Sequence, residues 1–307
     1  MPRPTMVAIA MAEPRHIPVM RDEVVQWLAL QEGQVVVDGT TGGGGHTRAL
    51  AEVVGTSGLV IAMDRDPAAI ASAEQNLAGM PVKLVQASYS ELPDVLAEAG
   101  VEQVDGLVLD LGISSDQLAD EQRGFSFDSQ GPLDLRFDPD SGRPAWQLLE
   151  KLPEKDLADL IYRYGEERYS RRIARCVVER RGRESLRTAR EVADLVRSCV
   201  PRAKRGGIDR ATRTFQALRI AVNEELQHLQ RALEVFPDCL SPGGRAVVIS
   251  FHSLEDRIVK RAFRGDPRYE VLTKKPVRPT AEEVQSNPRA RSAKLRAAAR
   301  TGTGSEI

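Results

Sequence analysis

The stretch from residue 35 to residue 47, Val-Val-Val-Asp-Gly-Thr-Thr-Gly-Gly-Gly-Gly-His-Thr, constrains this chain more than any other. Val35 to Val37 is an uncharged β-branched run, as a strand covered on both sheet faces requires. Asp38 ends it. A turn with five glycines, Gly39 and Gly42 to Gly45, then opens onto a helical pattern from about His46 to Val54. Strand, glycine turn and helix together present backbone N–H groups and a helix N-terminus to a ligand at the strand's carboxyl end. Glycine suits that turn because it tolerates positive φ and lets a ligand approach the backbone closely. A plain flexible loop would need neither five glycines nor this placement, so the turn reads as a nucleotide-type site.

Further apolar runs end in the same way. Leu59 to Met63 stops at Asp64-Arg-Asp-Pro67, 19 residues beyond Gly45. An acidic residue at that distance, at the end of the second strand, is placed to accept hydrogen bonds from ribose hydroxyls. Asp66 is a natural N-cap and Pro67 a first helical residue. Val82 to Gln86 reads as a third strand, followed by Tyr89, which could cover an adenine ring. Val104 to Leu109 is a fourth, ending at Asp110, and Ala246 to Ile249 a fifth, ending at Ser250-Phe-His252. Strands alternating with helices imply a parallel sheet with its sites at the carboxyl ends, where Asp38, Asp64 and Asp110 converge.

Between these units the pattern changes. From Asp116 to Arg143 no period holds, yet Phe125, Phe127 and Phe137 argue for an ordered loop. Helices dominate from about Pro144 to Cys199, and a basic loop over 201–207 returns to the core. Thr212 to Phe236 reads as one long helix, Val271 to Thr273 as a last short strand, and 287–296 as a basic tail. Residues 1–15 and 301–307 are expected to be disordered. The expected division is thus a discontinuous core, 16–130 and 208–300, carrying an inserted basic helical domain, 131–207.

A net charge of −1 conceals strong polarisation. Residues 91–159 hold 17 acidic and 5 basic side chains, whereas 168–213 hold 15 basic and 5 acidic. Such a basic segment favours a polyanion by releasing its counterions. No apolar run approaches the ~20 residues that span a bilayer, and the first 15 residues lack a convincing signal sequence, which points to a cytoplasmic protein. Cys176, Cys199 and Cys239 match no disulfide or metal spacing and read as inert thiols. No P-loop, Gly-x-Ser-x-Gly elbow or zinc-binding His pair is present, and no metal is expected.

The glycine turn departs from a dinucleotide fingerprint, since Thr47 and Arg48 stand where a third glycine would fall. Asp38 beside the turn would repel a pyrophosphate but not the ammonium or sulfonium of S-adenosylmethionine. Taken together, the motifs resemble the bacterial small-subunit ribosomal RNA cytosine-N4 methyltransferases. The resemblance runs from His16 to about Arg300. It rests on His16-x-Pro-Val, Asp38-Gly-Thr-x-Gly-x-Gly-Gly-His46, Asp64-Arg-Asp-Pro67 and Asp110-Leu-Gly-x-Ser-Ser-x-Gln-Leu118. Arg123-Gly-Phe-Ser-Phe127, Gly131-Pro-Leu-Asp134, Thr212-Arg-Thr-Phe-Gln-Ala217, Ser250-Phe-His-Ser-Leu-Glu-Asp-Arg257 and Asn287-Pro-Arg-Ala-Arg-Ser-Ala-Lys-Leu-Arg296 continue it. Leu135 and Phe137 depart from it, standing where the family often has methionine.

The resemblance implies a class I methyltransferase fold, a Rossmann-like and mostly parallel α/β sheet with an inserted all-α domain. It also implies an S-adenosylmethionine site lined by Gly44, Gly45, His46, Asp64, Tyr89, Asp110 and Gln117. The implied substrate is a cytidine in the decoding centre of 16S rRNA within the small subunit, with neither DNA nor a membrane as partner. Oligomeric state is left open, a homodimer included. Amino-methyltransferases of other families carry an Asp/Asn/Ser-Pro-Pro-aromatic stretch after the fourth strand. Here Asp110-Leu-Gly-Ile stands there, so Asp110 and His252 are the candidates to orient the reacting amine. Phe125 and Phe251 are candidates to stack on an extruded base, and Arg213, Arg219 and Arg257 to meet phosphates.

Overall fold

A computed structural model describes residues 18–201 and 208–302. The expected disordered extension over 1–15, most of the basic loop at 201–207 and the chain end from 303 lie outside the described residues. Seven strands form one sheet: β1 (Val35–Asp38), β2 (Leu59–Asp64), β3 (Val82–Gln86), β4 (Val104–Asp110), β5 (Leu240–Ser250), β6 (Tyr269–Val271) and β7 (Lys294–Arg300). Their order is β3-β2-β1-β4-β5-β7-β6, with β1 to β5 parallel and β7 antiparallel to both neighbours.

The helices around the sheet are α1 (Arg21–Leu28), α2 (Gly45–Val54), α3 (Pro67–Asn76) and α4 (Leu92–Ala99). After β4 come α5 (Ser115–Ala119), α6 (Ala145–Lys151), α7 (Glu154–Gly165), α8 (Ser170–Arg181) and α9 (Ala189–Cys199). The chain then returns through α10 (Thr212–Asn223), α11 (Glu225–Cys239), α12 (Ser253–Gly265) and α13 (Ala281–Ser286).

Alternation along the strands explains the two-sided burial. Val36, Val60 and Val108 pack on one face with α1 and α2. Their neighbours Val37, Ile61 and Leu107 face the other way, onto α4, α11 and α12. Side chains of period two therefore feed two apolar layers. A third apolar cluster joins α6 to α10 through Leu149, Ile161, Ile173, Val192 and Leu218. Among the described residues, no helix is long and apolar enough to cross a membrane.

Three features differ from the sequence reading. The basic tail at 287–296 leads into β7, where Leu295 to Ala299 are buried between β5 and β6. Lys294, Arg296 and Arg300 masked a strand whose other residues are leucine and alanine, with Arg296 buried against Asp256. The long helix over 212–236 is two, broken at Glu224 in the left-handed region with φ 51°. Asn223 is spent there on the loop: Nδ2 donates to the Leu135 carbonyl at 2.7 Å and Oδ1 accepts from the Phe137 amide at 2.7 Å. β5 also begins at Leu240, earlier than expected, because the Pro-Gly-Gly segment continues the strand instead of only turning into it.

Candidate active site

A cavity of about 330 Å³ opens at the carboxyl ends of β1, β2, β4 and β5. Its first wall is the glycine turn. Asp38 is buried at its base and braces it, Oδ2 accepting from Thr47 Oγ1 at 2.7 Å and Oδ1 from the Thr40 amide at 3.1 Å. The carboxylate thus ties the loop and does not line the cavity. Burial raises its pKa, with the His46 charge opposing. Gly42, Gly45 and His46 line the cavity, but Gly44 does not. Gly44 has φ +87°, and a Cβ there would stand 3.1 Å from the Leu77 side chain, so its role is in the turn itself. A Cβ on Gly45 would lie 3.2 Å from Pro18, which narrows the same wall.

Asp64 lines the cavity with both oxygens fixed by backbone: Gly42 N at 2.8 Å and Asp66 N at 2.9 Å. Each oxygen keeps lone-pair capacity, as a ribose diol would need. Burial, followed by the Asp66 and Asp38 charges against those amide bonds, pushes its pKa up to about 6. Tyr89 lies nearby on the cavity wall, its hydroxyl pKa raised by burial and then by Glu225 and Glu255. Gln117 also lines the wall, its Nε2 donating to Asp66 Oδ2 at 2.9 Å. Arg123, absent from the expected set, reaches the same Asp66 at 3.1 Å and the carbonyls of Arg136 and Phe137 at 2.7 Å. The aperiodic loop is therefore pinned to the residue two past Asp64.

Asp110 stands at the centre. Its amide donates to Thr40 Oγ1 at 2.7 Å, its Oδ1 accepts from Gly112 N at 3.3 Å, and Oδ2 lies 3.8 Å from His46 Nδ1. His46 Nε2 in turn donates to the Val19 carbonyl at 2.9 Å. Phe251 lines the cavity beside Gly112, where a Cβ would meet its ring at 2.9 Å. Thr41 Oγ1, buried in the same wall, has no hydrogen-bond partner among the described residues.

Several expected site residues sit elsewhere. His252 does not line the cavity; it caps α12, with Nδ1 accepting from the Glu255 amide at 3.4 Å. Its Nε2 stands 2.9 Å from Glu255 Oε1. It thus backs Glu255, which does line the cavity. Phe125 is a core residue, 4% exposed and stacked 5.8 Å from Phe137, so no base can reach it. Arg219 is buried instead of facing solvent, its Nε and Nη2 paired with Glu225 at 2.8 and 2.9 Å on the cavity wall. Arg213 and Arg257 are exposed, both turned toward Glu166: Arg213 reaches its carbonyl at 3.2 Å and Arg257 its carboxylate at 3.0 Å.

Glu225, Glu255, Thr41 and Arg289 line the cavity without having been singled out from sequence. Thr41 sits inside the glycine turn, while Glu225 and Glu255 at helix starts and Arg289 on a 3-10 turn come together only through the fold. Glu225, His252 and Glu255 bring potential metal-ligand atoms within 4.8 Å of one another, but Arg219 already supplies the cation between the two carboxylates. Burial raises the Glu225 pKa against the pull of Arg219. Burial also works against Glu255, yet His252, Arg219 and the Phe251 amide hold it below the usual carboxylate value. The thiols are remote from this chemistry: burial pushes Cys199 and Cys239 up to about 11.

A mostly parallel sheet in this order, with a reversed β7 between β5 and β6, a glycine turn after β1 and acidic residues at the ends of β2 and β4, defines a class I S-adenosylmethionine-dependent methyltransferase. The chain belongs to the MraW methylase family, whose model matches residues 13–301. It is 54% identical over 300 residues to the ribosomal RNA small subunit methyltransferase H of Rhodopirellula baltica, covering 94% of this chain and 92% of that one. It is 51% identical over 290 residues to the protein of the same name from Sorangium cellulosum, covering 94% and 91%. Among solved structures, an rRNA methylase from Streptococcus thermophilus aligns with a TM-score of 0.44 at 13% identity, over 92% of this chain and 94% of that one.

Proposed function

We propose that this enzyme methylates the exocyclic N4 of a cytidine in small-subunit ribosomal RNA, at position 1402 of the 16S decoding centre. The cytoplasm is its proposed location. The observation that carries the methyl-transfer reading is the cavity itself, with Asp64 and Asp110 facing it from the ends of β2 and β4, on either side of β1, and a glycine turn as its wall. The names of the relatives at 54% and 51% identity support ribosomal RNA as the acceptor.

The residues present suit S-adenosylmethionine: a braced carboxylate at Asp64, an orphaned hydroxyl at Thr41, and a turn into which an added Cβ would intrude. When bound, it supplies a methyl carbon on a sulfonium leaving group. Gly42, Gly45 and His46 are then placed to hold its amino-acid end, Asp64 its ribose, and Tyr89 its adenine.

A cytosine amine is a weak nucleophile because its lone pair is delocalised into the ring. The protein therefore contributes mainly by alignment of N4 with the methyl carbon. Backbone carbonyls near Leu111 and Gly112, with the Asp110 carboxylate, accept hydrogen bonds from the amine and localise its lone pair, and the carboxylate takes up the proton the amine releases. Asp110→Asn is expected to lower turnover about 100-fold or more, in line with general-base contributions. Cofactor affinity should stay within a few-fold, and full turnover in that variant would remove Asp110 from this role.

The deciding experiment is transfer of labelled methyl from S-adenosylmethionine to small subunits lacking the modification, with DNA and total protein as parallel acceptors. Label recovered from 16S rRNA as N4-methylated cytidine supports the proposal. Label in DNA, in protein or on another atom overturns it.

A further inference from the structure

The charges on the far wall of the cavity are unexplained by cofactor binding. Arg219 and Glu225 are paired bidentately with side chains 11% and 9% exposed, and Arg219 Nη2 lies 4.0 Å from Oε1 of Glu255, itself 3% exposed. A buried ion pair is a poor stabiliser, since apolar residues of similar volume in its place are often neutral or better. All three residues face the cavity. Carboxylates stand on two sides of the guanidinium, and Arg219 Nη1 forms no hydrogen bond among the described residues. Phe251 offers an aromatic surface alongside.

We infer that Arg219, Glu225 and Glu255 form the subsite that reads the Watson–Crick edge of the target cytosine. A glutamate oxygen accepts from the N4 amine, and the guanidinium donates to N3 and O2. Uracil inverts the first two positions, setting O4 against a carboxylate and N3–H against an arginine, so the wall rejects it. The inference rests on the N4 reading above and adds the residues that would choose the base. His252 serves as a positioning residue behind Glu255, whose Oε2 is also held by the amides of Phe251 at 2.8 Å and His252 at 3.3 Å.

An amino group beside a ring nitrogen also occurs on adenine, so the same wall could read the cofactor instead. Sheet order favours the substrate. Asp64 ends β2, whereas Phe251 and Glu255 follow β5, three strand positions away through β1 and β4. At the usual strand spacing that is about 14 Å, with Asp110 between the two. The charged wall therefore lies across Asp110 from the ribose site, with Tyr89 at the end where Glu225 and Glu255 act on its hydroxyl.

The test is equilibrium binding, with S-adenosylhomocysteine saturating, to unmethylated small subunits carrying either cytidine or uridine at the target position. Wild type is expected to prefer cytidine roughly tenfold or more, the usual worth of a bidentate edge contact. The double variant Arg219→Met with Glu225→Leu removes the pair together and avoids stranding one charge. Its preference should fall below threefold while S-adenosylhomocysteine affinity, measured by calorimetry, stays within twofold. Should that variant fail to fold, Glu255→Gln makes the same test, since its amide keeps the shape and turns one acceptor into a donor. An unchanged cytidine preference in a folded variant overturns the inference. A loss of cofactor affinity with preference intact overturns it too and assigns the wall to adenine. The methylated nucleoside is identified separately, so a product other than N4-methylcytidine refutes the N4 reading whatever the binding preference.

Discussion

Asp64 illustrates how one residue's position sets its chemistry. Two backbone amides hold its oxygens while burial lifts its pKa to about 6. Above that pH the carboxylate is charged and accepts strongly from a ribose; below it, protonation removes the charge. Cofactor affinity should therefore fall as pH drops through about 6, by roughly five- to tenfold, the difference between charged and neutral hydrogen bonds. Calorimetric titration from pH 8 to pH 5 measures this, and Asp64→Asn should bind more weakly with a flat profile. Gly39 makes a steric counterpart. A Cβ there would stand 2.5 Å from Leu109 Cδ2 and 2.9 Å from Tyr89 Cβ. Gly39→Ala should cost about 1–3 kcal/mol by overpacking, read as a lowered thermal midpoint.

At the scale of elements, the loop between α5 and α6 is ordered by polar ties more than by its own periodicity. Arg123 spans Asp66 and two loop carbonyls, and Asn223 at the end of α10 holds the same loop from the other side. Arg123→Ala leaves the buried Asp66 carboxylate without its cation, which should destabilise by about 3–5 kcal/mol. Arg123→Met paired with Asp66→Asn should recover part of that loss, as urea midpoints would show. A single variant as stable as wild type would mean the ion pair does not hold the loop. The break between α10 and α11 follows from the same demand, because Asn223 bonds the loop just where the helix would have continued.

Over the whole molecule, charge is segregated between the helical cluster and the acidic stretch before it. Arg171, Arg172 and Arg175 on α8 are exposed, as are Arg213 and Arg257. If this surface meets the RNA backbone, log affinity should fall linearly with log salt, and replacing Arg257 by alanine should lower the slope by about one ion. Equal slopes for variant and wild type would take Arg257 out of the contact. Arg213 and Arg257 are both engaged by Glu166, so Glu166→Gln should strengthen RNA binding modestly in the same assay.

Properties carried by adjacent residues were readable before any coordinates. Val35 to Val37, the five glycines, and the aspartates closing three apolar runs specify strand, turn and carboxyl-end site through local sterics and hydrogen bonding alone. The family motifs add Gln117, whose tie to Asp66 spans 51 residues. Side-chain direction on helices and irregular loops was not readable, because it depends on which distant surface each residue meets. Arg219 looks like any basic residue on a helix until Glu225 and Glu255 are folded against it, and Phe125 like any exposed ring until Phe137 covers it. β7 is the clearest case: its three basic residues hide a leucine and three alanines, and a strand so weak locally forms because β5 and β6 supply hydrogen-bonding edges on both sides and Asp256 meets the buried Arg296.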